Sequence, residues 1–222
     1  MKGKNMLWEI ECDKPLGYID DVIDYLNSQL PMIMNFFKLK TLTKKVKIVI
    51  WTDINKYRAH CEQYTSYKEW MCGDTFGGNI NMLSIEECRK TKAHKNMDIK
   101  EFKTTIAHEF VHICHGESIL EDVPEKFSWF WEALATNLAN PFDKLIEVNV
   151  SKDELMNQFN NIKNGYQMAY TIGKYMLTNY SEELIQEYIK YPRLLIRDTD
   201  KILVETNEWI QQENYVTHKL NK

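Results

Sequence analysis

Asp98–Gly116 reads DIKEFKTTIAHEFVHICHG. Ile99, Phe102, Ile106, Phe110 and Ile113 recur every three or four residues, the spacing that gives an α-helix one continuous apolar face. Asp98 is placed to cap its N-terminus, and Gly116 to end it. Within this helix His108-Glu109-Phe110-Val111-His112 sets two imidazoles at i and i+4. They share one helical face with Cβ atoms about 5–6 Å apart, so both rings can reach a single cation. Glu109 lies about 100° further round and flanks that position, where a carboxylate can take a proton from water rather than bind the ion. His115 stands two turns beyond His108, about 10 Å along the axis, too far to share the ion.

A catalytic metal needs a third protein ligand and an open position. Downstream, Glu132 interrupts the apolar run Phe127-Ser128-Trp129-Phe130-Trp131 before Ala133-Leu134-Ala135. A carboxylate there carries a heavy desolvation cost that a cation removes, so Glu132 is the expected third ligand. Ser128 is expected to cap its helix, which Pro141 stops after Asn140. Further on, Ser151 and Glu154 form a capping-box pattern, and Tyr166–Tyr180, Ser181–Tyr191 and Asp198–Gln212 read as helices. Upstream, Met6–Cys12 and β-branched Val46–Trp51, the latter preceded by Lys44-Lys45, read as strands. A helix from Tyr18 to Leu30 is expected to kink or break at Pro31, and Asp53 to cap a short helix around Tyr57. Gly77-Gly78 turns the chain into a half-buried strand over Thr75–Ile85, expected at the sheet edge.

The 222 residues suffice for one domain, with a soft lobe boundary near residues 116–124. A formal net charge of -4 with dispersed Lys and Arg gives no footprint for nucleic acid or an anionic membrane. No apolar run approaches the roughly 20 residues of a bilayer span, and no export signal is read at the N-terminus. Cys12, Cys61, Cys72, Cys88 and Cys114 contain no C-x-x-C pair, which fits reduced thiols and a cytoplasmic location. Cys114 is expected in the core, and His60, His94 and His218 at the surface.

The pairing of H-E-F-V-H with W-F-W-E-A-L-A resembles the gluzincin pattern of zinc metallopeptidases, in which a W-x-x-E-G-x-A type of motif gives the third ligand. Val46–Trp51 and Thr75–Met82 are similar to the edge-strand region of that superfamily. The resemblance covers Val46 to Tyr191 and is nearest to its small members, the minigluzincins. It implies an α+β, zincin-like fold. The N-terminal lobe would hold a small mixed sheet and the active-site helix, and the C-terminal lobe would be mostly helical. It implies one Zn2+ on His108, His112 and Glu132. In related aminopeptidases a downstream Tyr stabilises the oxyanion. Tyr166-Gln167-Met168-Ala169-Tyr170 resembles that segment, which implies Tyr166 for the role and Tyr170 as second choice.

Ala133 stands where Gly is usual in the family, and Trp131 where Asn often precedes the Glu; both are compatible with ligation. Gly77-Gly78-Asn79-Ile80-Asn81 lacks the Glu with which aminopeptidases hold a substrate amine, which disfavours an aminopeptidase. Thr136 replaces the Asp that some relatives use to orient a ligand His. Ile113–Ser118 lacks the Gly and third His of metzincins, and a deformylase-like site using Cys72 lacks its glycine motifs. The expected activity is peptide hydrolysis with Glu109 as general base, the substrate pairing with the strand at Gly78, Asn79, Ile80 and Asn81. The alternative is a silent zinc- or peptide-binding module of the same fold.

Overall fold

A computed structural model describes residues 7–122, 127–139 and 142–220. Among them are nine α-helices and a four-stranded mixed sheet, an α+β architecture. The chain divides into two compact units, Met1–Glu117 and Ser118–Lys222. Met6, Pro124, Asn140, Pro141 and the side chain of His218 lie outside the described set. No described helix is long and apolar enough to cross a membrane, and all five cysteines are free thiols.

The N-terminal unit runs β1 (Trp8–Cys12), α1 (Ile19–Phe36), β2 (Val46–Trp51), α2 (Ile54–Cys61), β3 (Gly73–Asp74), β4 (Ile80–Leu83), α3 (Ile85–Cys88) and α4 (Ile99–Ser118). The sheet order is β1-β2-β4-β3. The first three strands are parallel and β3 is antiparallel to β4. Parallel neighbours need a crossover rather than a hairpin, which α1 supplies between β1 and β2. In β2 the buried Val46, Ile48 and Ile50 alternate with the exposed or half-buried Lys47, Val49 and Trp51.

Three local expectations change in the N-terminal unit. Pro31 does not end the first helix, which continues to Phe36. Burying Ile33 and Met34 beyond it offsets the roughly 3 kcal/mol that an interior proline costs. Gly116 does not stop α4, which reaches Ser118. β4 is buried at all four positions and paired on both sides, to β2 and β3, so it is an inner strand and β3 is the edge.

α4 begins as its sequence requires, with Glu101 N–H donating to the Asp98 carboxylate at 2.7 Å. Its buried face is Phe102, Ile106, Phe110, Ala107, Val111 and Cys114, while Ile99 and Ile113 stay partly exposed. Asp53 caps α2 by accepting from Asn55 N–H at 2.8 Å.

The described part of the C-terminal unit is helical: α5 (Ser128–Leu138), α6 (Lys152–Asn157), α7 (Gly165–Asn179), α8 (Glu182–Lys190) and α9 (Pro192–Leu220). Ser128 is the first helical residue of α5 rather than its cap, which is Phe127. The Ser151–Glu154 capping box of α6 forms in full. α9 starts before the expected Asp198, at Pro192, whose fixed φ suits the first helical position. Asn137 ties α5 to α7 by donating to the carbonyls of Ala133 at 2.8 Å and Tyr170 at 2.9 Å. Asn207 of α9 accepts from Val148 N–H and donates to Val148 C=O, both at 3.0 Å.

Candidate metal centre

On α4 the i, i+4 spacing sets the rings of His108 and His112 4.8 Å apart, edge to face. Their Nε2 atoms stand 3.1 Å from each other. One ligand atom each from His108, His112 and Glu132 lies within 4.8 Å of the other two, and all three residues are half-buried. Two donors at about 2.0–2.1 Å from a tetrahedral ion stand about 3.3–3.4 Å apart, so the imidazole pair already has the spacing of two ligands. Two neutral imidazoles and a carboxylate are a donor set that divalent transition ions favour. The group can hold a metal ion, and it is spaced like the zinc site of an H-E-x-x-H protein.

Glu109 is half-buried on the same turn. A Cβ built on Gly73 would stand 3.5 Å from Glu109 Oε1, 3.4 Å from Thr105 Cγ2 and 3.1 Å from Met82 Sδ. The main chain of β3 therefore passes directly beside the Glu109 carboxylate, an approach that a larger residue at position 73 would obstruct. Sequence reasoning missed this residue, because a two-residue strand has no periodicity to detect.

The sheet places the residues expected to bind substrate as follows. Ile80 and Asn81 are buried at 0% and 2% exposure, and the hydrogen-bonding edges of β4 are taken by β2 and β3. Asn81 is occupied internally, donating to Asp74 Oδ1 at 2.9 Å and to Phe76 C=O at 3.2 Å. Gly78 ends a 3-10 turn, Phe76–Gly78, and Asn79 follows it in extended backbone. The strand beside Glu109 is thus β3, and its position is fixed by Asp74, which also accepts from Phe76 N–H at 2.9 Å.

His60 and His94 are not surface groups. His60 stacks on Trp51 with centroids 5.4 Å apart, its Nε2 3.5 Å from Asp74. His94 Nε2 is 2.8 Å from the Trp70 carbonyl. Cys114 is fully buried as expected, and burial pushes its thiol well up. His115 is also fully buried; burial, with the charge of His112 acting the same way, pushes its pKa down to about 3.

In α5 the Thr136 hydroxyl donates to the Glu132 carbonyl at 2.6 Å. It braces the turn that carries Glu132. Tyr166 lies in the first turn of α7, 39% exposed, its ring 5.8 Å from that of Phe159. Tyr170 is 7% exposed and packs on Phe142. Tyr166 is the more accessible phenol.

No protein-family model matches the chain, and comparison with curated proteins finds no match.

Proposed function

We propose that the protein is a zinc-dependent peptide hydrolase of the gluzincin type, with His108, His112 and Glu132 holding one Zn2+. The observation that carries this is the donor geometry: two Nε2 atoms 3.1 Å apart and a carboxylate within 4.8 Å. A zinc ion there supplies Lewis acidity, polarising the scissile carbonyl and acidifying water. Glu109 accepts the proton of the attacking water and passes it to the leaving amine. The phenol O–H of Tyr166 donates to the developing oxyanion without adding a charge. An extended substrate pairs with the outer edge of β3 at Gly73 and Asp74, which lays its backbone past Glu109.

The test is zinc content by elemental analysis together with peptide-library cleavage by wild type and Glu109→Gln. Near one zinc per chain is expected in both proteins, with cleavage lowered about 10²- to 10⁴-fold in the variant. Equal cleavage by the two proteins ends the mechanism. Bound zinc without cleavage by wild type leaves only a binding module.

A further inference from the structure

Beside His112 the N-terminal unit holds a cavity of about 450 Å³ whose wall includes Thr43, Lys44, Thr75, Gly78, His112 and Glu117. Lys44 is exposed, and among the described residues it makes no ion pair or hydrogen bond. The wall's carboxylate, Glu117, makes no ion pair with it; its Oε2 accepts from Thr43 N–H at 3.2 Å and from the Thr43 hydroxyl. The ammonium lies over Gly78, where a Cβ would collide with Nζ and stand 3.1 Å from Cε. Gly78 also has φ 68°, a backbone that side chains resist, and its N–H is spent on Thr75 C=O at 3.0 Å. The turn thus clears a place for one cation with no ion-pair partner among the described residues, in the same cavity wall as a candidate metal ligand.

We propose that this cavity is a carboxylate subsite, in which Lys44 selects peptides bearing an acidic group near the bond to be cut. The proposal rests on the hydrolase reading above and narrows its substrate class. The carboxylate can come from an Asp or Glu side chain or from the peptide's own C-terminus, because an ammonium is a point charge that accepts either. Thr43 is already bonded to Glu117, so the selection falls to Lys44 alone.

The zinc-loaded Glu109→Gln protein keeps peptides intact for a binding measurement by fluorescence anisotropy. The probes are three classes of dye-labelled octapeptide built on Ala and Phe. One is amidated and neutral, one amidated with a single Asp at successive positions, and one neutral with a free C-terminal carboxylate. At about 50 mM salt, where screening is weak, a carboxylate-bearing peptide is expected to bind about five- to tenfold tighter than the neutral one. Which of the two charged probes gains identifies the source of the carboxylate. In a Lys44→Met background, which keeps most of the stem, that ratio falls to about one; Lys44→Arg keeps it, and Lys44→Glu reverses it. A ratio near one in the unaltered Lys44 protein, a ratio that survives Lys44→Met, or no binding by any probe overturns the subsite. Wild-type turnover is scored separately. A Lys44-dependent preference without cleavage ends the hydrolase reading alone, whereas cleavage without charge preference ends the subsite alone.

Discussion

Glu109 and His115 share a helix yet sit in opposite environments, and each makes a different measurement informative. Glu109 is half-buried with the β3 backbone beside it, so its neighbourhood is as open to test as its own carboxylate. Gly73→Val places a branched side chain against Glu109 and Met82; the expected outcome is a loss of peptide turnover with zinc content retained. Retained turnover would mean that substrate does not pass along β3. His115 is neutral in the folded protein, with its pKa near 3 against about 6.5 in an unfolded chain. Between those values the unfolded chain binds a proton that the folded one refuses. The stability it contributes is therefore present above pH 6.5 and is lost as the pH falls toward 3, by at most about 1.4 kcal/mol per pH unit. Urea unfolding of metal-free protein at pH 7, 6 and 5 measures this slope, and His115→Leu is expected to flatten it.

At the scale of elements, the edge strand is held by a polar network rather than by length. β3 has two residues, and Asp74 anchors it through Phe76 N–H and Asn81, with His60 nearby. Asp74→Ala takes the acceptor from Phe76 N–H and one of the acceptors of the Asn81 amide, which keeps Phe76 C=O, a loss of about 1–3 kcal/mol. Urea denaturation should show it as a lower midpoint, and turnover should fall further than the same midpoint shift produced by Asn137→Ala on α5. α4 was readable because its apolar residues, its Asp98 cap and the pair His108 and His112 all obey one helical period. Glu132 was readable because a carboxylate amid Trp129, Phe130 and Leu134 needs a reason to be there. The sheet order was not, because Ile80–Leu83 is buried on both faces and so loses the alternation that marks an edge. β3 carries no pattern at all, because two residues are too few for a period to show. Pro31 misled for a different reason: a local penalty was outweighed by packing that sequence periodicity alone does not weigh.

An ion held by His108, His112 and Glu132 would link the stability of the whole molecule to metal concentration. An ion that binds the folded chain and not the unfolded one stabilises it by about 2.7 kcal/mol at a free concentration a hundredfold above its Kd. Calorimetry should therefore show a melting temperature that rises with added zinc and returns to its starting value with a chelator. Glu132→Ala is expected to weaken zinc affinity by more than about tenfold and to blunt that rise. A zinc-independent melting temperature in wild type would remove the ion from the site. The stretch 142–150 has no regular secondary structure. At Val148 the amide of Asn207 occupies both main-chain groups, as a neighbouring strand would. In deuterated solvent the Val148 amide proton should therefore persist far longer than its coil-like surroundings imply, and Asn207→Ala should release it to rapid exchange.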